Sequence, residues 1–365
     1  PLYSSAASDV YKRQEFLKGM KKTERLELKD IIGGAHRNET VQVSGMVHAK
    51  RPVGGGLTFL KLRKRDGLLQ CTCGERVDVS KVPEESAVVV TGRLREELRA
   101  PGGVELVAEG IEVLSRPAAV MPVPIPKAKL NVNLDTELGL RPVVLRHLRE
   151  RSVFRVQECL GRAFRDYLRD QGFTEIHTPK IVHAGAEGGS NIFRLDYFGR
   201  KAFLAQSPQF YKQTMVGVYE RVFELAPVFR AEKHSTARHL NEYTSMDFEM
   251  GFINSFEDVM AMETGFLQHA MALLREEYAQ DVERLGIRIP DVSAVPCIRF
   301  DEAKRLAAER YGYSIRDPYD LEPEEEHAIG RYAREVWESD FVFVTHYPSK
   351  KRPFYAMDDP EDPQY

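Results

Sequence analysis

The chain has 365 residues, of which 42% are hydrophobic and 29% charged, so it can bury a sizeable core and favours two domains over one. Its formal net charge of -3 gives no general attraction to nucleic acid, so any RNA contact must come from a local basic patch. No run approaches the roughly 20 apolar residues that span a bilayer, and no signal-peptide pattern opens the chain. The sequence therefore argues against a membrane partner and predicts a cytoplasmic location.

Short β-rich runs fill the region between residues 40 and 114. They are separated by glycine-rich or Asp-Gly turns at 54–56, 66–67 and 102–103. Five such strands in about 75 residues predict a small closed barrel. Cys71 and Cys73 alternate within the third run, and no cysteine pair in the chain has CxxC spacing. We interpret them as packed, reduced thiols rather than metal ligands or disulfides.

A proline-rich segment follows the barrel. Prolines stand at positions 117, 122, 124, 126 and 142 and argue against a helix or a central strand there. We therefore interpret residues 117–141 as an interdomain linker.

Two long amphipathic helices are predicted beyond the linker. Apolar residues recur every three to four positions from Leu148 to Leu168, and Gly172 provides a stop signal. A second apolar stripe, from Phe256 to Leu274, begins at the sequence SFED, whose serine offers a capping box. The most informative segments lie between these helices.

Two strands are predicted there, at residues 221–232 and 243–253. Alternation aligns Arg230 with Glu232 on the first strand, and Asp247 with Glu249 on the second. The other face of the second strand is apolar, with Met246, Phe248, Met250 and Phe252. Charges on one face of two antiparallel strands indicate a polar site built on a sheet. The alternative, from the local pattern alone, is a face that is simply solvated.

Several segments of this region resemble class II aminoacyl-tRNA synthetases of the aspartate and asparagine subgroup. The most specific is FRAEKHSTARHLNEYTSMDFEM (229–250), which closely resembles motif 2 of that family. GFTEIHTPKIV resembles motif 1, with Pro179 at the position of the family's dimer-interface proline. AEGGSNIF (186–193) resembles the loop that closes over the substrate, and FLAQSPQFYKQ (203–213) resembles the aspartate-specific segment. The resemblance runs from about Leu26 to the last residue.

The resemblance implies an α+β fold, in which a five-stranded OB barrel precedes a class II synthetase domain with a mainly antiparallel sheet flanked by helices. The implied order is an extension outside the family at 1–25, an OB-fold anticodon-binding domain at 26–116, the linker at 117–141 and the catalytic domain at 142–365. We expect the catalytic domain to be truncated before motif 3, and the chain as it stands to be inactive.

The implied chemistry is ATP-dependent formation of an aminoacyl-adenylate, which requires positioning and charge neutralisation rather than a protein nucleophile. Arg230 is the implied catalytic residue, because its planar guanidinium would contact the α-phosphate. Glu232 would accept from the adenine amino group and Tyr243 would stack on the ring. The remaining implied ATP contacts are Ala231, Arg238, His239 and Leu240. The alternatives are a surface salt bridge for Arg230 with Glu232 and a core position for Tyr243. Mg²⁺ is the implied metal, with no ligand expected in this chain.

The choice of amino acid depends on the sequence QSPQFYK. Ser207 and Pro208 form a helix start, so Gln209 and Lys212, three residues apart, share a face of that helix. A lysine there suits a side-chain carboxylate better than an amide, which favours aspartate over asparagine. The implied aspartate contacts are Glu187, Gln206, Gln209, Lys212, Arg230 and Asp247.

The barrel is implied to read the anticodon of tRNA through Arg51, Phe59 and Gln70, with the phenylalanine stacking on a base and the glutamine binding a base edge. Phosphate contacts would come from Lys50, Arg51, Arg63, Lys64 and Arg65. Taken alone, a strand phenylalanine is usually a core residue and a basic cluster usually a solvated face.

The expected partners are tRNA, L-aspartate, ATP and a second copy of the chain in a homodimer. Three alternatives stay open: an asparaginyl-tRNA synthetase, a synthetase-like asparagine synthetase, and a non-catalytic RNA-binding relative. The sequence leaves undecided whether the enzyme charges tRNA(Asp) alone or also tRNA(Asn).

Overall fold

A computed structural model of the protein describes residues 26–185, 192–232, 240–353 and 355–365. The chain forms two compact units, Pro1–Arg151 and Ser152–Tyr365. The first contains a β-barrel and the second combines helices with small sheets, which confirms the predicted α+β fold.

The barrel of the first unit follows a short helix, α1 (Leu28–Ile32). Its strands are β1 (Thr40–Gly54), β2 (Leu57–Arg63), β3 (Leu68–Cys73), β4 (Ala87–Glu96) and β5 (Val104–Ser115). They close in the order β1-β2-β3-β5-β4, and β3 runs parallel to β5 while the other neighbouring pairs are antiparallel.

The predicted barrel and its turns are confirmed. Gly54, Gly102 and Gly103 have positive φ, which favours glycine over residues with a Cβ. Cys71 and Cys73 are buried and unbridged in the barrel core, as expected for packed thiols.

The segment after the barrel differs from the prediction, because part of it is helical. Helix α2 (Leu134–Gly139) lies inside the residues interpreted as linker, and α3 (Arg141–Val144) follows directly. Residues 127–141 contain no proline, and the Asn133 side chain accepts a hydrogen bond from the Thr136 amide (2.9 Å), which caps α2. Pro142 lies in the first turn of α3, where a missing N–H costs no helical hydrogen bond.

The second unit begins within α4 (Leu148–Asp170). It continues through β6 (Thr174–Glu175), β7 (Ile181–Val182), β8 (Arg194–Tyr197), β9 (Arg200–Leu204), α5 (Gln209–Tyr219), β10 (Arg221–Phe229), β11 (Glu242–Met250), α6 (Phe256–Glu277), α7 (Ala279–Leu285), β12 (Cys297–Arg299), α8 (Phe300–Tyr311), α9 (Pro323–Val336) and β13 (Phe343–Thr345). Within the described residues the strands form three sheets, β11-β10-β6, β7-β9-β8 and β12-β13.

Both long helices occur where the sequence predicted them. Helix α4 ends shortly before Gly172, whose φ is 81°. Helix α6 is capped by Ser255 in a capping box with Asp258.

The central strand pair is antiparallel, as predicted, but both strands are shorter than expected. Strand β10 ends at Phe229 and β11 ends at Met250. Phe252 therefore does not extend the apolar face: its φ is 56° and its side chain is 90% exposed. Phe223 and Phe248 do lie on one face. The ring centroid of Phe223 is 5.6 Å from that of Phe164 on α4, and the ring centroid of Phe248 is 5.8 Å from that of Phe173. The opposite face is left for polar groups.

Candidate functional site

The polar face of the central strand pair is defined by its register. Glu224 lies directly opposite Asp247, and Val222 lies opposite Glu249. Residues paired across antiparallel strands point to the same side of the sheet. Asp247 and Glu249 therefore share a face, as predicted, and Glu224 shares it with them.

Lys212 of α5 lies over this face. Its Nζ is 3.0 Å from Asp247 Oδ1 and 3.5 Å from Glu249 Oε2, and the residue is only 5% exposed. Gln209 Nε2 donates to the same Glu249 oxygen at 3.1 Å, so Gln209 and Lys212 do share one face of the helix. This helix begins one residue later than predicted, because Pro208 is its N-cap, but Ser207 Oγ does accept from the Gln209 amide at 3.3 Å. A buried ammonium that would be costly alone is stabilised here by two carboxylates.

Arg230, Ala231 and Glu232 lie beyond the end of β10, so the prediction that Arg230 and Glu232 align on a strand is wrong. The Arg230 amide still donates to the Asn241 carbonyl (3.0 Å), but the Glu232 amide donates to the carbonyl of Arg230 (2.8 Å). This bond between residues two apart turns the chain and ends the strand. All three residues are half-buried at the end of the sheet.

The other predicted ATP and amino-acid contacts that the structure describes differ in their burial. Tyr243 is half-buried on β11 opposite Val228, whereas Leu240 is 61% exposed. Gln206 is buried directly after Ala205, whose carbonyl accepts from the Phe229 amide at 2.9 Å. That bond holds the chain preceding Gln206 against the chain preceding Arg230.

Three predicted contacts, Glu187, Arg238 and His239, lie outside the described residues. Pro179, the predicted dimer-interface residue, is exposed in the segment between β6 and β7.

The predicted anticodon residues lie on adjacent strands of the barrel. Arg51 pairs with Phe59, Phe59 pairs with Thr72, and Gln70 precedes Thr72 by two residues on β3. This register puts Arg51, Phe59 and Gln70 on one outward face. Phe59 is half-buried and Arg51 is exposed.

Glu105 of β5 is a neighbour of this face that the sequence reasoning missed. It accepts hydrogen bonds from Gln70 Nε2 (3.1 Å), Thr72 Oγ1 (2.7 Å) and Arg95. Burial opposes its charge, but the hydrogen bonds from Thr72, Arg95 and Gln70 lower the pKa of Glu105 below its ordinary value. The signal was present in VELVAEG, where alternation puts this glutamate on the outer face.

Arg63 is not available for phosphate contacts, so that part of the prediction is wrong. Its guanidinium binds both oxygens of buried Glu85, at 2.6 and 2.8 Å, and Arg146 adds a bond to the same carboxylate at 3.1 Å. Burial, followed by the positive charge of Arg63, lowers the pKa of neighbouring His48 to about 4. Lys64 is likewise engaged, since its Nζ donates to the Ser44 carbonyl at 3.0 Å.

Two features are absent from the part of the chain that the structure describes. Within it, no helix is long and apolar enough to cross a membrane. Nor do those residues include a group of three or more His, Cys, Asp or Glu side chains that could hold a metal ion.

Comparison with known proteins identifies both units. Residues 133–365 match the family described as tRNA synthetases class II (D, K and N), and residues 41–114 match the OB-fold nucleic acid binding domain. The Aspartate--tRNA(Asp/Asn) ligase of Deinococcus radiodurans is 50% identical over 322 residues, which cover 88% of this chain and 73% of that protein. The ligase of the same name from Thermus thermophilus is 46% identical over 324 residues, covering 88% of this chain and 75% of that protein.

Solved structures of the same family share the fold. Asparaginyl-tRNA synthetase from Pyrococcus horikoshii, complexed with asparaginyl-adenylate, has a TM-score of 0.81 at 28% identity and covers 93% of this chain and 78% of its own. Aspartyl tRNA synthetase from Entamoeba histolytica has a TM-score of 0.78 at 25% identity, with coverage of 93% and 74%. The sequence match over both units and the shared fold lead to one conclusion: this chain belongs to the class II tRNA synthetases of the D, K and N family.

Proposed function

We propose that this protein is an aspartate–tRNA ligase, which activates L-aspartate with ATP to aspartyl-adenylate and transfers the aspartyl group to tRNA(Asp) and tRNA(Asn). The observation that carries the proposal is the buried Lys212, held between Asp247 and Glu249 on the polar face of the sheet. L-aspartate carries one ammonium and two carboxylates. The cluster offers carboxylates to the ammonium and an ammonium to the side-chain carboxylate.

Substrate binding then becomes an exchange of ion-pair partners. In the free protein, Lys212 and Asp247 neutralise each other. When aspartate binds, its ammonium takes the place of Lys212 beside Asp247, and Lys212 turns to the side-chain carboxylate. No buried charge is left without a partner in either state, which is the condition for a low cost of burial.

Asparagine fits this exchange less well. Its side-chain amide has no charge to compensate Lys212 once the substrate ammonium occupies Asp247, so the lysine would keep only the more distant carboxylate of Glu249, at 3.5 Å. An asparaginyl-tRNA synthetase is among the similar folds, but at 28% identity, whereas relatives at 50% and 46% identity are named for aspartate. Both of these relatives are named for tRNA(Asp/Asn), which supports the second tRNA in the proposal.

The proposed ATP contacts lie at the end of β10 and on β11 or in the segment between them. Arg230 contacts the α-phosphate, Glu232 the adenine amino group and Tyr243 the ring face, with Ala231 and Leu240 beside them. Arg238 and His239 bind the outer phosphates, and Glu187 closes over aspartate. Arg230 contributes to rate because a fixed cation stabilises the charge that develops at the phosphate.

Mg²⁺ enters the proposal only as the companion of ATP. The three carboxylates on the polar face are already engaged, Asp247 and Glu249 by Lys212 and Glu224 by Lys180, and no group of metal ligands occurs among the described residues. These residues therefore do not fit an Mg²⁺ ion held by the protein.

The remaining partners, tRNA and a second copy of the chain, bind at other surfaces. Arg51, Phe59 and Gln70 bind the anticodon on the outer face of the barrel, and Pro179 lies at the contact between two copies of the chain. The reaction takes place in the cytoplasm, where tRNA and ATP are available.

The test is amino-acid-dependent exchange of pyrophosphate into ATP by the full-length protein, followed by charging of purified tRNA(Asp) and tRNA(Asn). We expect exchange with aspartate and not with asparagine, and aspartyl transfer to both tRNAs. Exchange with asparagine alone would replace the proposal by an asparaginyl-tRNA synthetase, and transfer to tRNA(Asp) alone would restrict it.

A further inference from the structure

A second ion pair lies beside the Lys212 cluster on the same face of the sheet. Lys180 Nζ is 2.7 Å from Glu224 Oε2, and Glu224 is directly opposite Asp247 across β10 and β11. Two carboxylates opposite each other on neighbouring strands repel. Each is compensated by its own lysine, Glu224 by Lys180 and Asp247 by Lys212. Because Lys180 compensates Glu224, Lys212 is available to pair with Asp247 and with the substrate.

Glu224 also fixes the backbone of the segment that carries Lys180. Its Oε1 accepts from the Thr178 amide at 2.6 Å, and its Oε2 accepts from Thr178 Oγ1 at 2.8 Å. The glutamate is only 2% exposed, so these bonds are formed away from water. A buried carboxylate with several donors holds their positions firmly, because any movement would leave it with too few partners.

The same segment supports the chain on both sides of the proposed substrate site. The carbonyl of Lys180 accepts from the Ala205 amide at 2.9 Å, and the carbonyl of Ala205 accepts from the Phe229 amide at 2.9 Å. Gln206 and Arg230 are the residues that follow Ala205 and Phe229. A continuous series of hydrogen bonds thus joins the Glu224 carboxylate to the backbone next to both proposed site residues.

We propose that Glu224 is a positioning residue for aspartate activation, acting through Lys180 and Thr178 on Gln206 and on the neighbouring Asp247. It does not touch substrate. The inference rests on the proposed function, because it assigns Glu224 to the aspartate side of that site. The proposed adenine contact Tyr243 is opposite Val228, four residues along β10 from Glu224, which is about 13 Å in a strand.

The test compares steady-state pyrophosphate exchange by the full-length parent and its Glu224→Gln variant, with aspartate and ATP varied separately. The glutamine amide presents N–H groups where Lys180 and Thr178 also donate, so the arrangement cannot be kept. We expect the KM for aspartate to rise by about tenfold, the scale of one lost charged hydrogen bond, and the KM for ATP to stay within twofold.

Glu175→Gln is the matched control. Glu175 lies on β6 beside β10 and is also ion-paired, but its partners are Arg165 and Arg169 of α4. We expect its KM for aspartate to match that of the parent. Thermal unfolding of both variants reports any general loss of stability.

Lys180 supplies a second pair of variants should Glu224→Gln fail to fold. Lys180→Met leaves the Thr178 bonds to Glu224 but exposes Asp247 to an uncompensated carboxylate, so the KM for aspartate should rise. Lys180→Arg keeps the charge and should restore a value near that of the parent.

The outcomes separate this inference from the proposed function. A parent without aspartate-dependent exchange would refute the proposed function itself. If the parent is active, two results would overturn the inference. The first is a KM for aspartate within twofold of the parent's in Glu224→Gln or, where that variant does not fold, in Lys180→Met. The second is a joint rise of the KM values for aspartate and ATP.

Discussion

Replacing Lys212 by methionine removes the charge on which the proposed choice of aspartate depends. Methionine has a similar length and suits a position that is 5% exposed, so the helix and its packing should be retained. What disappears is the ammonium 3.0 Å from Asp247 and 3.5 Å from Glu249.

The expected effect on aspartate affinity is large because two consequences add. The substrate's side-chain carboxylate loses its partner, and it then faces Glu249 without an intervening positive charge. Loss of one partner of a buried charge pair costs about 2 to 5 kcal/mol in binding, which corresponds to a roughly 30- to 4000-fold weaker Kd. ATP affinity should stay within threefold, since no proposed ATP contact involves Lys212.

The assay is isothermal titration of the full-length parent and variant with aspartate and, separately, with ATP. Lys201→Met on β9 removes an exposed lysine of the same unit and serves as the control; we expect it to bind both substrates as the parent does. Equal losses for aspartate and ATP in Lys212→Met would indicate a folding defect, and unchanged aspartate affinity would refute the role of Lys212.

Three further substitutions test other parts of the account. Arg230→Ala should slow adenylate formation by about 2.7 to 4 kcal/mol, as for one lost charge-stabilising donor, and pyrophosphate exchange within tenfold of the parent would remove Arg230 from the chemistry. Phe59→Ala should weaken tRNA binding by about 1 to 3 kcal/mol and leave pyrophosphate exchange intact; lost exchange with normal tRNA affinity would contradict its assignment to the anticodon face. Glu85→Gln should destabilise the barrel by about 3 to 5 kcal/mol in urea unfolding, because it leaves buried Arg63 without its partner, and an unchanged midpoint would contradict this.

The Glu85 pair also predicts a pH dependence. Burial opposes the charge of Glu85, but hydrogen bonds from Arg63 and Arg146 outweigh it and lower the pKa of this carboxyl below its ordinary 4.5. A carboxyl with a lowered pKa in the folded state contributes stability above its ordinary pKa and loses it as the pH falls through the folded value. The parent should therefore lose barrel stability on acidification, whereas Glu85→Gln should lose less.

Local sequence signals were enough to predict those helices and strands whose ends are determined by residues close to them in the chain. The barrel strands are bounded by glycine turns, and the start of α6 by Ser255 and Asp258. Helix α2 was missed because the prolines on either side do not exclude a helix within residues 127–141, which contain no proline and include the cap residue Asn133. The end of β10 was also missed, since the chain turns there through a backbone bond from the Glu232 amide to the Arg230 carbonyl, which the alternation of side chains does not indicate.

Contacts between distant residues limited the prediction of the site. Gln209 and Lys212 could be placed on one helix face from their spacing, and both contact Glu249. The burial of Arg63 depends on Glu85 and Arg146, and the role inferred for Glu224 depends on Thr178 and Lys180. Neither set has a spacing that alternation or helical periodicity can detect, because the fold alone brings them together.

The central claim is that Lys212 changes partners from Asp247 to the side-chain carboxylate of aspartate. The most direct measurement is a crystal structure of the full-length protein with a non-hydrolysable aspartyl-adenylate analogue. We expect Lys212 Nζ within about 3 Å of the analogue's side-chain carboxylate and the analogue's ammonium beside Asp247. A bound analogue whose side chain makes no contact with Lys212, while Lys212 stays on Asp247, would contradict the account.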